Sequence, residues 1–322
     1  MSARISRRTR LFGCVLAFAL AATACGGDDG TETTTGETSG DLSGTIKIDG
    51  SSTVAPLSEA AAELFQAENP NVRVTVGTSG TGGGFQKFCN GETDISDASR
   101  PIKQTEIDAC AAKGIRYDAI TVANDGLSVV VSPENSWAKC LTVEQLKKVW
   151  APDSTVANWK DVDPSFPDEK LTLFGAGTDS GTFDYFTEAI NGKEGASRTD
   201  YNATEDDNVT INGVSGTRGG MGYLGLSYVE QNPGKVKPLE IDGGGGCVAP
   251  AIKTVQDETY KPLARPLFIY PTAAALARPE VQAFLRFYIE NSDDIAEQAL
   301  FVPMTDTERA ESNAKIQALS GT

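Results

Sequence analysis

Past residue 44 the chain alternates between short stretches of period-two hydrophobicity and longer stretches of helical period. Thr45-Ile46-Lys47-Ile48-Asp49 alternates as a strand, and after Gly50-Ser51-Ser52-Thr53 the residues Leu57, Ala60, Ala61, Leu64 and Phe65 share one helical face. Asn69-Pro70 stops that helix. Val72, Val74 and Val76 alternate as the next strand, and the arrangement then repeats: Thr78 to Gly84, all Thr, Ser and Gly, leads into a helix over Phe85 to Cys89. Strand, small polar turn, helix, strand is the pattern of a parallel sheet whose loops gather at the carboxyl ends of its strands, so the pattern predicts an α/β fold.

The remainder continues in the same manner. An apolar strand over Leu127 to Val131 precedes a helix over Val143 to Trp150 and a strand over Leu171 to Phe174. That strand opens into Gly175-Ala176-Gly177-Thr178-Asp179-Ser180-Gly181-Thr182, with a helix over Phe183 to Ile190, which makes a third strand-to-helix turn of small polar residues. Gly222 to Gly225 extends the sheet, Gly243 to Gly246 is a loop, and Leu267 to Tyr270 is a strand. Helices over Pro279 to Glu290 and Ile295 to Ala299 close the pattern.

The three turns carry the candidate chemistry. Each leaves backbone N–H groups unpaired at a helix start, where the helix dipole adds roughly half a positive charge. Gly permits close approach, Ser and Thr hydroxyls add donors, and a tetrahedral oxyanion is held there without net positive charge. Helix capping by Ser or Thr explains any one turn; three in one chain, each after a strand, favour an anion site. Arg100, in Asp94-Ile95-Ser96-Asp97-Ala98-Ser99-Arg100-Pro101, adds a planar fork of donors, or else a salt bridge with a nearby carboxylate.

The first residues do not belong to this fold. Arg4, Arg7, Arg8 and Arg10 precede an apolar run from Leu11 to Ala22, too short to span a bilayer at ~20 residues, and read as an export signal over 1–24. Ala22-Thr23-Ala24-Cys25 is similar to a bacterial lipoprotein signal, in which that Cys becomes the lipidated first residue, although Ala22 stands where Leu is commoner. The rival is an ordinary secretory cleavage site. Gly, Thr, Asp, Glu and Ser dominate from Gly26 to Gly44, so 25–44 reads as a lipid-anchored flexible tether.

Composition narrows the function further. The 322 residues include 44 acidic and 28 basic side chains, for a formal charge of −16, and loss of the leader takes it to −20. Such a chain is a poor match for nucleic acid. With no His, Ser-His-Asp and Cys-His catalysis and His-ligated zinc are excluded. Cys89, Cys110, Cys140 and Cys247 form an even set in an exported chain, which favours disulfides over a metal site because no CxxC pair is present. Three connectivities exist, and proximity in sequence favours Cys89 with Cys110 and Cys140 with Cys247.

Four segments together carry a resemblance: Gly-Ser-Ser-Thr-Val-Ala-Pro at 50–56, Gly-Thr-Gly-Gly-Gly-Phe at 80–85, Asp-Ile-Ser-Asp-Ala-Ser-Arg-Pro-Ile at 94–102, and Gly-Thr-Asp-Ser-Gly-Thr-Phe-Asp-Tyr-Phe at 177–186. In this order they resemble the phosphate-binding protein of bacterial high-affinity phosphate ABC transporters, and best the branch with the cyanobacterial and pseudomonad forms. The resemblance implies a two-lobed periplasmic-binding-protein fold of type II, with two crossover strands and a ligand cleft between lobes. It implies one lobe over 45–126 plus 264–322 and the other over 127–263. Further expectations are a monomer that captures inorganic phosphate, hands it to ABC permease subunits, reaches the membrane only through its lipid anchor, and needs no cofactor or metal.

Matched residue by residue, the resemblance makes Ser52, Thr53 and Thr81 donors from one lobe and Ser180, Gly181 and Thr182 donors from the other. It departs in two places. Many members have an Arg four residues before the Ser of that Ser-Gly-Thr, where this chain has Ala176; they also have a proton-accepting carboxylate at about the position of Ser99 and Arg100. The expectation is that Arg100, beside Ser99, replaces the missing guanidinium; the proton-accepting role is left unassigned, with Asp179, which could equally cap its helix, and Asp206 as candidates.

Other readings are weaker. Ser136-Trp137-Ala138-Lys139 has the spacing of a Ser-x-x-Lys dyad, but the Ser-Asp-Asn and Lys-Thr-Gly elements are missing. No GxxxxGK[ST] loop is present. Asp206 to Gly213 loosely matches a calcium loop, yet Thr217 stands where a bidentate Glu is required. An anchored phosphatase lacks a nucleophile with an adjacent base, while sulfate, molybdate or a phosphonate remain alternative ligands.

Overall fold

The computed structural model describes residues 42–321. The expected export signal over 1–24, Cys25 as the expected lipidation site and most of the expected tether over 25–44 lie outside the described residues.

The first lobe is built from β1 (Gly44–Gly50), α1 (Ala55–Glu68), β2 (Val72–Gly77), α2 (Gly80–Cys89), β3 (Ile95–Ala98) and α3 (Gln104–Ala112). β1 pairs in parallel with β2 on one side and β3 on the other, and it buries Ile46 and Ile48 on one face. This alternation is what the sequence predicted, because side chains of period two reach opposite faces. β4 (Ile120–Val131) then runs for 12 residues, almost wholly buried.

The second lobe contains β5 (Cys140–Thr142), α4 (Val143–Trp150), α5 (Trp159–Val162), β6 (Thr172–Ala176), α6 (Gly181–Asn191), β7 (Asn202–Thr204), α7 (Asp207–Ser215) and β8 (Gly220–Gly225). It continues with α8 (Leu226–Gln231), β9 (Lys237–Pro238), β10 (Glu240–Asp242), β11 (Cys247–Val248) and α9 (Ile252–Gln256). The chain returns through β12 (Ala264–Pro271) and ends in α10 (Ala273–Leu276), α11 (Pro279–Glu290), α12 (Ser292–Gln298) and α13 (Asp306–Ser320).

One sheet runs in the order β2-β1-β3-β12-β4-β8-β6-β7, with β9 on β4; a second holds β11-β10-β5. β12 lies antiparallel to both β3 and β4, so the two long central strands cross from one lobe to the other. The apolar residues divide accordingly. Ile46, Leu57, Phe65, Val122, Leu267 and Phe284 pack in one core, and Leu127, Trp150, Phe186, Tyr223 and Leu263 in another. β4 thus feeds Val122 to the first and Leu127 to the second, and a hinge between lobes has only a pair of strands to bend. Among the described residues no helix is long and apolar enough to cross a membrane.

Both disulfides form in the pairing that proximity favours. Cys89–Cys110 ties α2 to α3 and Cys140–Cys247 closes the small sheet. α13 has no counterpart in the hydrophobic pattern, since of its residues only Ser312 is buried. Its signal is polar: Thr305 and Glu308 form a reciprocal capping box.

Candidate functional site

The first turn follows β1. Gly50 is placed so that a β-carbon there would lie 2.1 Å from the Asp97 carbonyl oxygen, so only Gly lets β1 close against β3 at this point. The Ser51 N–H donates to that carbonyl at 2.9 Å, and the Thr53 N–H donates to Ser51 Oγ at 3.2 Å. Beneath the turn the Asp97 carboxyl is fully buried and accepts from Ser58 Oγ at 2.9 Å. Burial pushes it up to about 7, against the pull of Ser58 and with help from Asp49 and Glu59.

The second turn opens α2. Thr81 Oγ1 lies 3.1 Å from Ser99 Oγ and accepts the Ser99 N–H at 3.2 Å, which holds the end of β3 against the helix start. The third turn opens α6, where Ser180 is the N-cap and its Oγ accepts the Thr182 N–H at 3.1 Å. All three turns converge on one cavity of about 30 Å³, lined by Ser51, Ser52, Thr53, Gly80, Thr81 and Ser99 from one lobe and by Gly181 from the other. Organic ligands of drug size occupy ~300–1,000 Å³, so this cavity is on the scale of a small ion.

Among the described residues one guanidinium lines the cavity, and it belongs to Arg265. Arg265 on β12 is the register partner of Asp125 on β4, so the two crossover strands bring them together. Nε and Nη2 donate to Asp125 Oδ2 at 3.2 and 3.1 Å, Nη1 donates to the Ser99 carbonyl at 3.2 Å, and Nη2 to Thr53 Oγ1 at 3.3 Å. Burial pushes the Asp125 carboxyl up while Arg265 pulls it down. The pair neutralises itself, so the positive end of the site is made of dipoles and one already partnered cation.

Tyr185 and three carboxylates, Asp184, Glu188 and Glu194, complete the lining. Asp184, in the first turn of α6, is pushed up to about 6 by burial and by Glu194, with Arg265 opposing and Glu188 adding.

Residues 35–292 match the PBP superfamily domain family. Protein SphX of Synechococcus elongatus is 48% identical over 262 residues, covering 80% of this chain and 77% of that protein. The phosphate-binding protein PstS of Staphylococcus saprophyticus is 37% identical over 318 residues, covering 98% and 96%. The chain belongs to the phosphate-binding proteins of the PBP superfamily. Among solved structures, a possible phosphate-binding protein from Planctomyces limnophilus matches with a TM-score of 0.83 at 46% identity, covering 87% of this chain and 99% of that one. A putative phosphate ABC transporter substrate-binding protein from Clostridium perfringens, with bound phosphate, matches at 0.58 and 25%, covering 81% and 100%.

Within this phosphate-binding-protein fold the residues expected from sequence divide. Ser52, Thr53, Thr81, Ser99 and Gly181 line the cavity, and Ser180 and Thr182 flank Gly181 at the helix start. Arg100 does not supply the guanidinium. Arg100 is not among the residues that line the cavity: its Nη1 donates to Glu106 Oε2 at 2.9 Å and to the Pro101 carbonyl at 3.1 Å, and its Nη2 to Glu106 Oε1 at 2.8 Å, which turns the fork toward α3. Nor do the two candidate proton acceptors line the cavity: Asp206 caps α7 by accepting the Asn208 N–H at 2.9 Å, and Asp179 is exposed. Sequence reasoning missed Arg265, Asp125 and Asp184. The signals were faint: a charged residue at the edge of each apolar strand, and an Asp one position beyond Ser-Gly-Thr-Phe.

Proposed function

We propose that the chain is an extracytoplasmic solute-binding protein that captures inorganic phosphate in the cleft between its lobes and delivers it to an ABC permease. The observation that carries this reading is the meeting of Gly181, from the second lobe, with Thr53, from the first, beside Arg265. A small oxyanion between them accepts from the helix-start amides and hydroxyls of both lobes at once. Such bonds to a charged partner contribute ~1.5–3 kcal/mol each, and they form together only when the cleft is shut. The ligand is therefore the fastener of the closed form.

In this reading the lobes span 45–126 plus 264–322 and 127–263, and the two largest apolar clusters fall on either side of that division except for Val302, which packs with the second. Ser52, Thr53, Thr81, Ser99, Gly181 and Arg265 bind phosphate, with Ser180 and Thr182 shaping the helix start. Asp184 accepts the proton of phosphate, the role the sequence left unassigned with Asp179 and Asp206 as candidates. Sulfate brings no proton and meets an unpaired carboxylate, a mismatch that binding sites reject strongly. Lipidation at Cys25 holds a monomer at the outer face of the cell membrane.

Another tetrahedral oxyanion is the second reading, because every donor described serves any such ion. Calorimetric titration with phosphate, sulfate and molybdate at two pH values separates the two. Heat from phosphate alone supports the proposal, and tight sulfate or molybdate binding without phosphate binding overturns it.

A further inference from the structure

Arg265 carries five N–H groups, as every guanidinium does. Those that donate to Asp125, Thr53 and Ser99 do so through Nε, Nη1 and Nη2, and they leave one hydrogen on Nη1 without a partner among the described residues. That hydrogen belongs to a side chain lining the cavity. Where it points depends on the plane of the guanidinium. Hydrogen bonds around the rim fix position within the plane; they resist rotation about it less well, because each tolerates tens of degrees of misalignment.

The face of the guanidinium is held by a different residue. The ring of Tyr185 lies under it, with the Arg265 Cζ 3.5 Å from the ring centroid. Tyr185 is 6% exposed. Its hydroxyl donates at 2.9 Å to the Pro262 carbonyl, three residues before Arg265 on the approach to β12. Burial pushes the phenol far up, so it keeps its proton and the bond. The ring is thus fastened both to the helix that carries it and to the strand that carries the arginine. Tyr185 also sits one turn after Gly181 on α6.

We propose that Tyr185 is a positioning residue for anion binding: its ring sets the plane of Arg265 and ties the arginine to the α6 helix start across the cleft. This rests on the phosphate-binding reading. Loss of a desolvated cation–π contact of this kind is expected to cost affinity about tenfold. Tyr185 lines the same cavity, and in this proposal its ring acts through Arg265, so its cost depends on the arginine where a direct ligand contact would add independently.

A double-mutant cycle on the full chain, read as the dissociation constant for inorganic phosphate, tests the proposal. Tyr185→Leu is expected to weaken binding about tenfold in the wild-type background, while Tyr185→Phe, which keeps the ring, stays within about threefold of wild type. Arg265→Lys keeps the charge and loses the planar fork. In that background Tyr185→Leu is expected to cost almost nothing. Equal costs of Tyr185→Leu in the two backgrounds, or wild-type affinity of Tyr185→Leu, overturn the proposal. Tyr185→Met, which fills the space without a ring, serves the same comparison should the leucine variant fail to fold. If the wild-type chain takes up no phosphate, the binding reading itself fails; if it binds normally and the costs add, only the role of Tyr185 does.

Discussion

Gly181 and Thr53 stand so close that a β-carbon on residue 181 would lie 2.3 Å from Thr53 Oγ1. The start of α6 therefore rests directly on the first turn, and the contact runs from lobe to lobe. Gly181→Ala is expected to hold the cleft ajar, because neither the helix backbone nor the Thr53 backbone, 2.9 Å away at its nitrogen, has room to yield. Phosphate affinity should fall by at least about tenfold, the equivalent of one lost bond to a charged partner, with little change in the melting temperature of the ligand-free protein. Small-angle scattering with saturating phosphate should show a larger radius of gyration for the variant than for wild type. An equally compact variant with unchanged affinity would remove closure from the account.

The two arginines separate by partner. Arg265→Ala strips the cavity of its guanidinium and leaves Asp125, 4% exposed, as an unpaired buried carboxylate. Arg265→Met with Asp125→Asn avoids that buried charge, so affinity in this double variant is the cleaner measure, with an expected loss of at least about tenfold. Arg100→Ala breaks the Glu106 pair, the bond to the Pro101 carbonyl and the contact with the Phe85 ring, and should alter phosphate affinity by no more than about threefold, in the range of ordinary ion pairs. The reverse ranking would return the binding role to Arg100.

Asp184 governs discrimination in this account. Asp184→Asn replaces a proton acceptor with a group that also donates, so sulfate binding should rise and phosphate binding fall. Competition titrations report the ratio, and a phosphate-to-sulfate preference left intact would move the acceptor role to Glu188 or Glu194.

Asp97 gives a pH signature of stability. Its folded value of about 7 lies above the ordinary 3.8, so its contribution is full below about pH 4 and is lost as pH rises through about 7. Wild-type melting temperature should therefore fall between about pH 5 and about pH 8 more steeply than that of Asp97→Asn. Parallel curves would show that the carboxyl is not the group responsible.

How much of this could be read from the chain itself is uneven, for physical reasons. Strand-to-helix turns are local, and their Gly, Ser and Thr spacing is written in consecutive residues; Thr53, Thr81 and Gly181 were therefore visible as site candidates. The Arg265–Asp125 pair is separated by 140 positions and is created by strand register alone, so no local window contains it. Arg100 looked suited to the role because it neighbours a turn, but Glu106, two turns of chain away, claims it first. α13 escaped a reading based on apolar periodicity because it packs mainly through partly buried residues and is fixed at its start by polar capping.

The most direct test of the central claim is equilibrium dialysis of the full-length protein against radiolabelled phosphate, with and without a large molar excess of sulfate. The account predicts one phosphate retained per chain and little displaced by sulfate. Loss of the label to sulfate, or no retention at all, would contradict it.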